Sequence, residues 1–248
     1  DHLDRHGDMA GYVAAKRAIF DRQRARDAAV IGLDDAISAA MAAELGARRV
    51  VRISATRRAD VWCADGILRD SAGQILDMTQ AAALPGAHNA QNAAAAAAMA
   101  TLLGVPRSAI ARGIIGFPGL AHRQERIASI SGVSFVNDSK ATNADAAARA
   151  LACYERIVWI AGGMAKAGGI EWLAAFFPRI VEALLIGRDA PILARTLAAH
   201  GVPHRIVGTL EAAVPAAFAS ARRAGAAVLL SPACASFDQF KNYEQRGQ

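Results

Sequence analysis

The sequence predicts an α/β protein in two parts, the second built on a largely parallel sheet. Three observations predict it. Beyond Gly116-Phe117-Pro118-Gly119, apolar strand-like runs alternate with helical stretches at the spacing of strand–helix–strand units. Ahead of that loop, short alternating runs are separated by turn signals, which reads as a smaller sheet of another kind. The length of 248 residues, 54% of them hydrophobic and 20% charged, is enough for one large domain or two modest ones with real cores.

Taken in order, Met9 to Arg26 reads as a helix, with apolar Tyr12, Val13, Ile19 and Phe20 and few breakers. Ala28 to Leu33 is a short buried strand ending in Asp34-Asp35, and a helical stretch runs on to Leu45. Arg49 to Ile53, Asp60 to Cys63 and Ile67 to Arg69 are short strands, and the hairpin signal Asp65-Gly66 predicts that they form a small antiparallel sheet. Leu84-Pro85-Gly86 breaks the chain before an alanine-rich helix starting near Asn89.

After the boundary loop, the strands expected are Arg126 to Ile130, Ser134 to Asn137, Ile157 to Ala161, Ala183 to Ile186, His204 to Val207 and Ala227 to Leu230. Helices near Asp145 to Leu151, Glu171 to Phe177, Pro191 to Ala199 and Leu210 to Ala224 separate most of them. The domains expected are therefore 1–118 and 119–248.

Composition excludes several classes. No apolar run approaches the ~20 residues a bilayer-spanning helix needs, the longest alanine tract being Ala93 to Ala98. Cys63, Cys153 and Cys234 are odd in number and far apart, which suggests neither a disulfide framework nor a zinc site and fits a reducing cytoplasm. The net charge of +6 is spread over scattered Lys and Arg with no aromatic-interleaved stripe, so a small polyanion such as a nucleotide or a dicarboxylate is expected in preference to nucleic acid. The opening at Asp1, with no Met and no signal-peptide pattern, reads as a piece of a longer protein.

In parallel sheets, ligands bind beyond the carboxyl ends of the strands. Three polar clusters fall there: Asn137-Asp138-Ser139-Lys140, Gly162-Gly163 with Lys166, and Ser231 to Ser236. Asp138 can orient a ribose hydroxyl or a metal-bound water and Lys140 can neutralise a phosphate; equally, the segment can cap the helix that follows through Thr142 or Asn143. Gly162-Gly163 lets backbone N–H groups approach an anion, or is merely a turn beside a solvated lysine. His2 with its neighbouring carboxylates can hold a metal or be a solvated polar terminus. Arg123 can hold a phosphate or tie two domains together. No GxxxxGK[ST] phosphate loop occurs in the chain.

The combination goes further. Asp1-His2-Leu3-Asp4-Arg5-His6-Gly7 with Ala14-Ala15-Lys16, then Gly86-Ala87-His88-Asn89 with Asn92, then Gly119-Leu120-Ala121-His122-Arg123-Gln124-Glu125 resemble the Mur ligases of peptidoglycan synthesis. Within that family, Asn137 to Asn143 and Leu230 to Phe240 are similar to the branch that adds D-glutamate. The match is colinear from Asp1 to about Gly247. The resemblance implies part of the family's central ATPase domain, followed by its Rossmann-like C-terminal domain. It implies a ligase that uses ATP and Mg²⁺ to join D-glutamate to UDP-N-acetylmuramoyl-L-alanine through an acyl phosphate. Such an enzyme would work in the cytoplasm as a monomer on small molecules, with neither nucleic acid nor membrane as partner.

Residue by residue, the resemblance makes His2 a Mg²⁺ ligand and Lys16 the lysine that, once carbamylated, supplies a carboxylate-like oxygen. It assigns Asn92 to adenine, Arg123 to phosphate, Asp138 to the ribose and Lys140 to the nucleotide. Thr142, Lys166, Ser236 and Phe237 fall at the D-glutamate site, and Tyr243 falls where the family has an aromatic residue, often Phe, over the same substrate. The family's N-terminal domain, its phosphate loop and an acidic Mg²⁺ ligand are not in these 248 residues. The chain alone is therefore expected to be inactive, with an unpaired edge on its first sheet and weak ATP binding at best. Another Mur ligase, a folylpolyglutamate synthase, or a non-catalytic nucleotide- or amino-acid-binding module are the competing readings.

Overall fold

Alternation of buried and partly exposed residues marks strands of the first sheet, whereas the central strands of the second are buried on both faces. A computed structural model describes residues 3–24, 26–45 and 49–248. The chain separates into two units, Asp1–Phe117 and Pro118–Gln248.

The first unit begins with α1 (Leu3–His6) and α2 (Met9–Arg17), the latter capped by Asp8, whose side chain accepts the Gly11 N–H at 2.8 Å. The expected helix to Arg26 stops at Arg17 and gives way to a 3₁₀ turn, Ala18–Phe20. No residue of either segment is buried, so no packed face carries the helix onward. The Asp27 carboxylate also takes the Arg24 N–H at 2.8 Å, a local turn that competes with helix.

A five-stranded sheet follows, β1 (Ala28–Gly32), β2 (Arg49–Ser54), β3 (Val61–Ala64), β4 (Ile67–Asp70) and β5 (Gly73–Asp77), in the order β1-β2-β3-β4-β5. The expectation of a purely antiparallel sheet is corrected here. The hairpin at Asp65-Gly66 is present, with both residues at positive φ, but β1, β2 and β3 run parallel. The crossover between β1 and β2 is α3 (Ala36–Glu44), capped by Asp35, and a helical crossover permits a parallel pair where a short turn does not. α4 (Ala87–Leu102) lays Ala90, Ala93, Ala94, Ala97 and Ala98 on the sheet, a helical stripe whose small side chains allow close approach. α5 (Arg107–Ile115), not expected from the sequence, closes the unit with Ile110 and Ile114 buried.

The second unit is a six-stranded sheet in the order β10-β9-β8-β11-β7-β6, parallel except for the antiparallel edge strand β6 (Glu125–Ile130). The others are β7 (Val133–Asn137), β8 (Ile157–Gly162), β9 (Ile180–Ile186), β10 (His204–Gly208) and β11 (Ala227–Leu230). Helices cover both faces. Ile157, Trp159 and Ala161 of β8 join a core with α6 (Ala144–Leu151) and α7 (Ala190–Ala199), whereas Val158 and Ile160 face α8 (Leu210–Ala224). That two-sided burial is why β8 reads as an unbroken apolar run. The stretch expected as a helix from Glu171 is a 3₁₀ segment, Glu171–Arg179, and α9 (Tyr243–Gly247) ends the unit.

Candidate functional site

β8, β11 and β7 are adjacent and parallel, so their carboxyl ends open on one edge. The three polar loops of the second unit leave from that edge.

Asp138 follows β7 and is 5% exposed. Its carboxylate accepts the Ser231 hydroxyl at 2.7 Å and the Gln124 N–H at 3.2 Å. Burial pushes the carboxyl up to about 6, against the lowering pull of the Ser231 hydroxyl, the Gln124 N–H and the charge of Arg123. At neutral pH it is therefore an ionised, acceptor-only group suited to a ligand hydroxyl. Arg123 is exposed and lies between two non-glycine residues at positive φ, His122 (61°) and Gln124 (47°). Such backbone costs on the order of 1 kcal/mol per residue and persists only where neighbours enforce it. Here the Lys140 N–H donates to the His122 carbonyl at 3.0 Å and the Glu125 carboxylate accepts the His122 N–H at 2.8 Å. The Lys140 ammonium lies 4.3 Å from the ring centroid of Tyr243.

Arg246, on α9, was not singled out from the sequence. Its guanidinium is 1% exposed and donates to the Ser139 hydroxyl (3.0 Å), the Ser139 carbonyl (2.8 Å) and the Cys234 carbonyl (3.0 Å). It therefore joins the loop after β7 to the loop after β11. A Cβ at Gly163 would come within 3.3 Å of Arg246 Nη1, so the loop after β8 rests against the same group. Burial pulls the guanidinium down to about 10. Asn137 Nδ2 adds a bond to the Gly247 carbonyl at 2.8 Å.

The glycine pair does not form an open anion cradle, and that expectation is corrected. The N–H groups of Gly162, Gly163 and Met164 donate to the carbonyls of Pro232 (2.9 Å), Ile186 (3.1 Å) and Ala235 (2.8 Å), and Ala165 N–H donates to Asp189 at 2.8 Å. All four donors are used within the protein. Glycine is needed because the backbones crowd: a Cβ at Gly162 or Gly163 would overlap the carbonyl oxygen of Ile186 or Ala235. Hydrogen bonds from Arg188, then the Ala165 N–H, hold Asp189 down at about 2.

Of the residues expected at the D-glutamate site, Thr142 is half-buried and its N–H donates to the Lys140 carbonyl at 2.8 Å. The cap of α6 is Asn143, accepting the Ala146 N–H at 2.8 Å. Lys166 is exposed, Ser236 is buried and Phe237 is 69% exposed. The Met164–Ala235 bridge links the loops that carry Lys166 and Ser236. Asp138, Lys140 and Tyr243 thus share one cluster with His122, Ser231 and Arg246. Ser231 belongs to a polar cluster that the sequence displays. Arg246 has no such signal, because two of its three acceptors are backbone carbonyls and the third is a lone serine hydroxyl, with no carboxylate to mark it.

In the first unit, Asn92 is exposed on α4, donates to Asn89 Oδ1 at 3.3 Å, and lines an apolar cavity of about 430 Å³ with Ala96, Ile110 and Phe117. Lys16 is exposed, its ammonium 5.4 Å from the Tyr12 ring centroid. His2 lies outside the described residues. Among the described residues no group of three or more His, Cys, Asp or Glu could hold a metal ion. No helix among them is long and apolar enough to cross a membrane.

Comparison with known proteins agrees with this architecture. Residues 1–100 match the family described as "Mur ligase middle domain" and residues 122–234 that described as "Mur ligase, glutamate ligase domain". A UDP-N-acetylmuramoylalanine–D-glutamate ligase of Caulobacter sp. (strain K31) is 49% identical over 259 positions, covering 100% of this chain and 55% of the relative. The enzyme of that name from Rhodospirillum rubrum is 50% identical over 260 positions, covering 100% of this chain and 54% of the relative. The chain spans about half the length of the curated relatives it matches. Among solved structures, MurF from Acinetobacter baumannii superposes with a TM-score of 0.67 at 19% identity, covering 94% of this chain and 54% of that one. MurC from Thermotoga maritima gives 0.66 at 16% identity, with the same coverages of 94% and 54%; these two matches speak for the fold. With both of its units matched by the family's domains, the chain belongs to the Mur ligases.

Proposed function

We propose that the chain is the nucleotide- and amino-acid-binding part of an ATP-dependent ligase that joins D-glutamate to UDP-N-acetylmuramoyl-L-alanine. The observation that carries this reading is the 49–50% identity, along the whole chain, to relatives named for that reaction. The family is ATP-dependent, and the reaction requires it: a carboxylate is a poor acyl donor until phosphorylation supplies a leaving group. The amine of D-glutamate then attacks the acyl phosphate and phosphate departs. Such transfers depend on positioning and charge neutralisation more than on covalent help from the protein.

Asp138, ionised at neutral pH, accepts hydrogen bonds from the ribose hydroxyls, while Arg123 and Lys140 neutralise phosphate. Asn92 reads the adenine edge beside its apolar cavity. Thr142, Lys166, Ser236, Phe237 and Tyr243 bind D-glutamate, with Lys166 opposite a carboxylate. Lys16, as a carbamate, and His2 are proposed as metal ligands; no step of this reading depends on them. The domain roles follow the same reading, 1–118 as central-domain residues and 119–248 as the C-terminal domain, in a monomer working in the cytoplasm on small molecules.

The test is a chimera that joins the first half of the Caulobacter ligase to this chain, assayed for ATP-dependent joining of D-glutamate, L-lysine or folate-linked glutamate. D-Glutamate alone is expected to be incorporated. Incorporation of another substrate in its place would overturn the reading, as would ATP-dependent turnover that Asp138→Ala and Lys140→Ala leave intact.

A further inference from the structure

Asp189, in the loop after β9, holds the loop that carries Lys166 at two points. Its N–H donates to the Gly163 carbonyl at 3.0 Å, and its carboxylate accepts the Ala165 N–H at 2.8 Å, one residue ahead of Lys166. The carboxylate is itself set by Arg188, whose Nε and Nη2 donate to its two oxygens at 2.9 and 2.8 Å. The Asp189 side chain is 13% exposed and that of Arg188 57%, so a largely covered carboxylate lies beneath an exposed guanidinium. The same turn reaches the loop after β11. There the Arg188 N–H donates to the Asp238 carboxylate at 2.8 Å, next to Phe237. A Cβ at Gly187 would overlap the Asp238 carboxylate and come within 2.7 Å of the Gly163 Cα, so the three loops are nested at this point.

That arrangement suits a support under a ligand-binding lysine. A lysine presents its ammonium only as firmly as the backbone beneath it is held, because ordering a loop and a long side chain at the moment of binding costs affinity. A carboxylate holds a backbone N–H more strongly than a neutral acceptor does, and a bidentate guanidinium fixes the plane in which it accepts. Arg188, then the Ala165 N–H, hold the carboxyl at about 2, so it is charged throughout the neutral and mildly acidic range. We propose that Asp189, locked by Arg188, is a positioning residue for Lys166, fixing the loop after β8 in the conformation in which that lysine meets a carboxylate of the amino-acid substrate. This deepens the reading of Lys166 given above and rests on it.

The test uses the 248-residue chain in chemical-shift titrations, which read millimolar affinities, with D-glutamate and ATP as separate probes. Asp189→Ala is expected to lower D-glutamate affinity about five-fold and to speed hydrogen exchange at the Ala165 amide, as loss of a charge-assisted backbone hydrogen bond would. Asp189→Asn keeps an oxygen for that amide and is expected to stay within about two-fold of wild type. In a Lys166→Ala background, Asp189→Ala is expected to have no further effect on D-glutamate, a coupling that a purely structural role would not produce. ATP affinity stays constant throughout.

The proposal is overturned if Lys166→Ala weakens D-glutamate binding while Asp189→Ala does not, or if Asp189→Ala weakens it equally with and without Lys166. A matching loss of ATP affinity in Asp189→Ala overturns it as well. If Lys166→Ala leaves D-glutamate binding unchanged, or the wild type shows no D-glutamate shifts, the amino-acid assignment of Lys166 fails first and the proposal with it. Should Asp189→Ala unfold the start of α7, Asp189→Ser, polar but one atom shorter, takes its place with the same outcomes.

Discussion

The buried guanidinium of Arg246 grips Ser139 twice, Nε on its hydroxyl at 3.0 Å and Nη2 on its carbonyl at 2.8 Å. Among the described residues no carboxylate hydrogen-bonds it; the charge is met by carbonyl and hydroxyl oxygens. Replacing it by Met, of similar reach, leaves the Ser139 and Cys234 carbonyls buried without these donors. Arg246→Met is expected to cost about 3 kcal/mol in urea unfolding, and Arg246→Lys, a single-point donor, roughly half of that. A midpoint unchanged in Arg246→Met would mean that the guanidinium does not hold the loops.

Asp138 gives a pH dependence with a definite sign. Its carboxyl titrates near 3.8 when unfolded and near 6 when folded, because burial opposes its charge. Across that window the folded chain keeps a proton that the unfolded chain has released, so stability falls as pH rises. Below pH 3.8 the effect vanishes, and above pH 6 it is complete and flat, on the order of 3 kcal/mol. Asp138→Asn keeps both hydrogen-bond partners and removes the titration. The stability of Asp138→Asn relative to wild type is therefore expected to climb between pH 4 and pH 6 and then level off. A difference that stays constant with pH would refute the assigned environment.

Two glycines at positive φ separate crowding from backbone strain. Gly225 caps α8 at φ 62° with nothing within 4 Å of a Cβ, so Gly225→Ala meets only the left-handed penalty, about 1 kcal/mol. Gly163 sits at φ 125° with its Cβ position overlapping the Ala235 carbonyl. Gly163→Ala is expected to break the Met164–Ala235 bridge and cost at least about 3 kcal/mol, or to prevent soluble expression. Equal effects of the two substitutions in a denaturation series would show that the loop after β8 yields easily.

The sequence made the second sheet legible because its strands are buried on both faces and appear as bounded apolar runs, β8 most clearly. Parallel pairing of β1 with β2 was less visible, since strands of four to six residues carry no direction in their pattern. The Asp138, Lys140 and Ser231 cluster was readable from where polar residues follow strands. Arg246 was not, because a guanidinium bound to two backbone carbonyls and one serine hydroxyl leaves no charged partner to recognise. Nor was the closed state of the Gly162–Gly163 donors, which depends on how near Ile186 and Ala235 approach.

Of Thr142 and Asn143, the two residues the sequence offered as the cap of α6, the structure uses Asn143. Asn143 is the helix cap, its side chain accepting the Ala146 N–H at 2.8 Å from an extended backbone, φ −151°. Asn143→Ala removes that acceptor and is expected to cost about 1 kcal/mol, the usual value for a lost cap. Thr142 lies one residue ahead, half-buried, and does not cap the helix through its side chain. Thr142→Ala should leave the unfolding midpoint within about 0.5 kcal/mol of wild type, as substitutions away from caps and cores do. If its hydroxyl binds D-glutamate, the same variant weakens D-glutamate in a titration that Asn143→Ala, once folded, leaves unchanged. A stability loss in Thr142→Ala without any change in D-glutamate binding would return Thr142 to a structural role and take it out of the site.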